Sequence, residues 1–176
     1  MHLRLEIDIP QEVKETIYSA LADLRKDYPY IQWVGKNEYK LELFRFGDTY
    51  PKEFLNKKIQ DATFDSPSFS LFSHKLKLTI KSNVMIYLSF YENKELKEIV
   101  RNIKSQLSIN DELSFYPDIV VARYRIPAKQ QYLLIKKKCM NTIIDSEFRI
   151  TQLTLYNSVN EGELVTYQKE ATYPLL

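Results

Sequence analysis

The sequence predicts an α+β fold of two similar halves, and three observations lead there. Some segments alternate apolar and polar residues with period two, while others repeat apolar residues every three or four positions. In chain order these segments run strand, helix, strands, and then strands, helix, strands. No Gly/Ser-rich linker divides them, and the chain holds only three glycines. At 176 residues, one domain over 1–176 with two lobes sharing a core is the expectation.

Leu3, Leu5, Ile7 and Ile9 alternate with His2, Arg4, Glu6 and Asp8, which predicts a half-buried first strand. Pro10 ends it and suits the first turn of a helix. Val13, Ile17, Leu21 and Leu24 then place an amphipathic helix to about Lys26. A loop with Pro29 and Trp33 leads to a strand from about Tyr39 to Phe46, and Phe54, Leu55 and Ile59 predict a short helix after Pro51. Leu76, Leu78 and Ile80 alternate with lysines and a threonine, Ser82-Asn83 is a plausible turn, and Val84 to Phe90 is β-branched and aromatic.

Leu96, Ile99, Val100, Ile103 and Leu107 predict a second long helix. A strand from Ile119 to Arg125 follows, ended by Pro127. The stretch Lys129 to Met140 carries good helix formers and an apolar Leu133-Leu134-Ile135, and is read as helix. Two late strands, near Phe148–Tyr156 and Leu164–Thr172, complete the chain.

Composition narrows the function classes. Hydrophobic residues make up 44% and charged residues 27%, and no run reaches the roughly 18 apolar residues of a membrane span. The polar interruptions after Met1 leave no signal-peptide core, so a cytoplasmic protein without a membrane partner is the expectation. Cys139, the sole cysteine, excludes an internal disulfide and a Cys-rich zinc site. A net charge of +2, from 25 basic and 23 acidic residues, is too small to indicate nucleic-acid binding by itself. Lys136-Lys137-Lys138 is the densest cluster and reads as a solvated face.

Two short segments stand in matching settings. Lys40-Leu41-Glu42-Leu43 runs into Phe44-Arg45-Phe46-Gly47, and Phe115-Tyr116-Pro117 precedes Asp118-Ile119-Val120-Val121-Ala122-Arg123. Their framing resembles the two-histidine phosphoesterases, the LigT or 2′-5′ RNA ligase family, with patterns H-x-T-L-x-F-L-G and F-x-P-H-x-T-L-A-R. The resemblance extends along the chain. It takes in the opening strand and Pro-led helix, Trp33 before the first motif, Leu153-Thr154-Leu155-Tyr156-Asn157-Ser158, Glu161-Gly162, Tyr167, and Tyr173-Pro174-Leu175. It implies a bilobal LigT-like fold with pseudo-twofold symmetry and a central cleft. It also implies acid–base chemistry at a 2′,3′-cyclic phosphate or 2′-5′ linkage, with neither a metal nor ATP as cofactor.

By motif, Lys40 and Asp118 stand where the two histidines would be, and Glu42 and Val120 where their hydroxyl partners would be. Imidazole suits the chemistry because its ordinary pKa of about 6.5 lets it give and take protons near neutrality. Lysine begins near 10.4 and aspartate near 3.9, so each would need a large shift. Val120 cannot hold a phosphate oxygen, and Glu42 would repel one. A positioned acid or base contributes about 10²–10⁴ in rate, and here both are replaced. Neither other histidine has the motif's form: His2 lies on the polar face of the first strand, and His74, in phase with Leu76 and Leu78, is expected at the core edge with a hydrogen-bond partner.

The leading expectation is a catalytically degenerate homologue acting as an RNA- or nucleotide-binding or regulatory monomer. Lys40 would meet a phosphate while Phe44 and Phe46, on the same strand face, stack on a base, although ordinary core is the simpler reading of both. Arg45, Arg123 and Arg125 are further phosphate candidates, but alternation sets Arg123 and Arg125 on the face away from the motif. Lys40, Glu42 and Asp118 are expected to form one charge cluster in the cleft. A phosphoesterase with altered chemistry, using Glu42 or Asp118 as base and Lys40 as stabiliser, is the second reading. A protein–protein module is the third, given thirteen tyrosines and nine phenylalanines.

Overall fold

The computed structural model describes residues 2–80, 82–110, 115–125, 128–161 and 164–176. Pro127 and Gly162, which the sequence assigns to a strand end and a turn, lie outside these ranges.

Strand β1 (His2–Ile7) alternates as expected, with Leu3 and Leu5 fully buried, but it stops short of Ile9. Pro10 sits one residue outside helix α1 (Gln11–Ala20). The expected single helix is two: Leu21 (φ −89°, ψ 3°) leaves helical geometry before α2 (Ala22–Asp27). Burial explains the break, since Leu21 is fully buried and pins the bend to the core. Trp33 belongs to the short β2 (Gln32–Trp33), where its indole N–H donates to the Tyr28 carbonyl at 3.0 Å.

Strand β3 (Leu41–Gly47) begins after Lys40 and ends at Gly47, whose φ of +61° suits a residue without a side chain. Helix α3 (Lys52–Thr63) is longer than the sequence suggested, as is β4 (Phe69–Ile80). Strand β5 (Val84–Phe90) leads to Asn93, whose side chain accepts from the Leu96 N–H at 2.8 Å and caps helix α4 (Lys94–Gln106). Strand β6 (Asp118–Tyr124) and helix α5 (Lys129–Asn141) follow. Of Leu133-Leu134-Ile135 only Ile135 is buried, because one helix face alone can meet the sheet. The single late strand expected near Phe148–Tyr156 is two, β7 (Glu147–Ile150) and β8 (Gln152–Glu161), which enter different sheets; β9 (Leu164–Pro174) pairs with β8.

The strands form two antiparallel sheets, ordered β3-β1-β8-β9 and β2-β6-β5-β4-β7. The two-halves expectation takes a specific form here. β1 and β3, joined through α1, α2 and β2, and β5 and β6, joined through α4, are each antiparallel neighbours with helix between them in the chain. The returning strands carry the two motifs, and β3 and β6 approach each other between the sheets. Each sheet buries one face in a continuous apolar cluster that includes Leu3, Leu5, Leu41, Ile86, Leu88 and Ile119. The other faces are left to the polar residues.

Register is not uniform. Leu5 pairs with Phe44 but Glu6 with Glu42, so Leu43 is an extra residue in β3. Ile86 pairs with Ala122 but Tyr87 with Val120, so Val121 is extra in β6. Each bulge reverses the alternation beyond it. Leu5→Ala should cost about 2–5 kcal/mol in chemical denaturation. Leu134→Ala, at a side chain 61% exposed, should stay within about 0.5 kcal/mol.

Candidate functional site

At the first motif, Glu42 lies opposite Glu6 in the β1–β3 ladder. Two facing carboxylates persist there because three cations surround them. Lys40 Nζ is 3.6 Å from Glu6 Oε1, and Arg4 reaches Glu42 at 3.5 Å. The Arg45 guanidinium grips Glu42 with two hydrogen bonds of 3.1 Å. The Tyr167 ring lies 3.9 Å from Lys40 Nζ and 5.7 Å from the Arg4 guanidinium. Glu42 is therefore neutralised in place, and Glu6, at 5% exposure, is the buried member. Burial pushes the Glu6 carboxyl above its ordinary 4.5, Lys40 and Arg4 pull it down, and Glu42 adds to the rise.

At the second motif, Asp118 Oδ1 is 3.7 Å from Lys77 Nζ on β4, and the Tyr116 ring lies 5.3 Å from the same ammonium. Burial raises the Asp118 carboxyl and Lys77 opposes the rise. Ser89 faces Asp118 in register, but its hydroxyl donates instead to the Lys75 carbonyl at 2.8 Å. Asp118 Oδ1 is buried without a hydrogen bond among the described residues. Val120 stands beside Tyr87 and offers no polar group.

Several expectations are corrected by this geometry. Lys40 and Asp118 do not form a shared cluster with Glu42. Lys40, just before β3, pairs with Glu6 of the first sheet, and Asp118 pairs with Lys77 of the second. Phe44 and Phe46 do not share the face of Glu42. The bulge at Leu43 turns Phe44 to the side of Leu5, Phe46 is 5% exposed, and the two rings stack at 5.5 Å. With Leu43, Tyr50, Ile109 and Phe115 they help line a cavity of about 430 Å3 that none of Lys40, Glu42, Asp118 or Val120 enters. Arg45 also lines this cavity, and its guanidinium reaches Glu42 on the motif face.

Arg123 also changes sides. Because of the bulge at Val121, Val121 and Ala122 are both fully buried and Arg123 is exposed on the face of Asp118 and Val120. It has no ion pair or hydrogen bond among the described residues. Arg125 is exposed just beyond β6. Register adds Lys75, Lys77, Tyr87 and Met85 to that polar face. His74 is not a core-edge residue: it sits exposed at an irregularity between β4 and β5, its ring 4.2 Å from that of Tyr91. His2 is exposed, as expected.

Comparison with solved structures decides the fold. TT0787 of Thermus thermophilus superposes with a TM-score of 0.77 at 14% identity, covering 99% of this chain and 98% of that one. E. coli LigT complexed with 3′-AMP gives 0.73 at 20% identity, over 99% and 97%. The chain has the LigT-like two-histidine phosphoesterase fold. A more distant LigT-like neighbour is Kluyveromyces marxianus Usb1 with uridine monophosphate, at 0.57 and 11% identity over 99% and 97%. No protein-family model matches the sequence, and no curated protein matches it. Within the LigT-like fold, sequence reasoning missed Glu6, Arg4 and Lys77 as partners of the motif residues. Their alternation was visible, but nothing in it told which strand would lie beside which.

The carboxyl of Glu6 has a testable consequence. Its folded pKa is raised, so protonated Glu6 contributes stability that is full below about 4.5 and lost as pH rises through the folded value. Glu6→Gln should gain stability relative to the parent between pH 4 and pH 8. Lys40→Ala should do the reverse, costing about 1–2 kcal/mol more at pH 8 than at pH 4, because the Lys40–Glu6 attraction exists only while Glu6 is ionised. Urea denaturation across this pH range reads both.

Proposed function

We propose that this chain is a LigT-fold protein that has given up two-histidine proton transfer and serves as a nucleotide-phosphate-binding module. One observation carries the reading. At both motif heads a carboxylate–ammonium pair stands where an imidazole is needed, while Arg123 on the second motif's face is unpaired among the described residues. A lysine ammonium offers donors and no acceptor, so it cannot receive the proton that an imidazole would. Asp118 starts from a carboxylate's acidity rather than an imidazole's, and although burial raises it, Lys77 opposes the rise. Arg123, with Lys75 and Lys77 on the same face, retains what a phosphate requires: positive charge and a planar donor fork.

Similar proteins lend support. The LigT structures include complexes with ATP, phosphate and 3′-AMP, and Usb1 was solved with uridine monophosphate. A phosphoesterase using Glu42 as base is disfavoured, since Arg45 and Arg4 already occupy that carboxylate.

Purified protein should turn over a 2′,3′-cyclic nucleotide no faster than buffer across pH 5–9. It should nonetheless bind 3′-AMP in calorimetry, more weakly as salt rises, with about ten-fold loss in Arg123→Ala and little change in Arg125→Ala. Turnover abolished by Asp118→Asn would sink the degenerate reading. Absence of 3′-AMP binding would sink the binding one.

A further inference from the structure

Charge is unevenly distributed along the chain. From Ile119 to Ile144 there is no aspartate or glutamate, while Arg123, Arg125, Lys129, Lys136, Lys137 and Lys138 all fall within it. Helix α5 occupies the second half of this segment and packs against β4, burying only Ile135 and Cys139. Its outward surface is not simply polar. Leu133 is 51% exposed and Met140 69%, seven residues apart and so on one line of the helix. Ile143, just past the helix end, is 85% exposed.

At 100° per residue, Lys129 and Lys136 fall on one shoulder of the Leu133–Met140 line and Lys137 on the other. Lys138 is held by Asp27 at 3.1 Å, whereas Lys129, Lys136 and Lys137 have no ion pair among the described residues. An apolar ridge with cationic shoulders, on a helix whose opposite side is fixed to a sheet, needs an occupant that is both apolar and anionic.

The geometry points to an anionic lipid surface as that occupant: α5 would lie along the headgroups, with Leu133, Met140 and Ile143 dipping below them and the lysines at phosphate level. Long lysine stems suit this arrangement, since they run beside apolar side chains and end in charge. A second copy of the chain is excluded as a symmetric partner because like charges would face each other. Nucleic acid would use the lysines but gain nothing from the exposed Leu133 and Met140. A convex helix also suits a deformable surface better than a protein, which would need a groove to receive it. No helix among the described residues is long and apolar enough to cross a membrane, so the contact is peripheral.

Vesicle sedimentation tests this with the whole protein. Vesicles of phosphatidylcholine and phosphatidylserine should carry the protein down and phosphatidylcholine alone should not, the binding weakening with salt. Lys136→Ala and Lys137→Ala should each lower the partition coefficient about five-fold, near the contribution of one lysine at an anionic surface. Leu133→Gln with Met140→Gln should lower it at least as much, with unchanged thermal melting confirming folding. No sedimentation with the anionic vesicles overturns the inference. So does sedimentation that the Leu133/Met140 variant leaves intact, which would make α5 a general polyanion site. Binding to polyglutamate without binding to vesicles would assign it to an acidic protein instead.

Discussion

The architecture rests on burying alternate side chains of β1 and β5, each the first strand of a strand–helix–strand unit. Leu3 and Leu5 in one, and Ile86 and Leu88 in the other, are fully buried. A slip of one residue in either strand would bring its polar set inward, at a cost far above that of any surface contact. With these strands fixed, their neighbours β3 and β6 must fit them. β3 does so through two bulges, at Leu43 and at Phe46, and β6 through one, at Val121. The bulges therefore decide which side chains reach the polar faces: Arg45 rather than Phe44 in the first sheet, Arg123 rather than Ala122 in the second.

Electrostatics then explains how the two motif heads accommodate charge in partly buried positions. At each head one charge is matched with its opposite, Lys40 with Glu6 and Asp118 with Lys77. Such pairs add little net stability once desolvation is counted. At both heads burial raises the carboxyl, Glu6 or Asp118, and the paired lysine opposes the rise. The two halves differ in what remains. The first is nearly self-neutralised and covered by Tyr167, whereas the second keeps Arg123 unpaired among the described residues.

The outward side of α5 lies apart from both motif faces in character as well as place. Its lysines are free of acidic neighbours along the sequence, and its apolar residues are exposed because only one side of the helix meets β4. A soluble helix normally confines such residues to its packed side.

Much of the fold was legible in the sequence because period-two and period-3.6 patterns report directly on which side chains face a core. The β1 alternation, the α4 stripe, the helical reading of 129–140 and the LigT-like framing around Lys40 and Asp118 all came from local pattern. The site was less legible. Alternation alone put Phe44 with the motif face and Arg123 away from it, and both placements were reversed by one extra residue in a strand. The sequence also paired Lys40 with Asp118 by charge, although the nearer partners, Glu6 and Lys77, lie on β1 and β4. Local sequence by itself determined the elements and their apolar faces, since these follow from chain geometry and solvation. Strand neighbours, bulges and ion-pair partners were decided only by the tertiary structure, because they depend on contacts between segments distant in the chain.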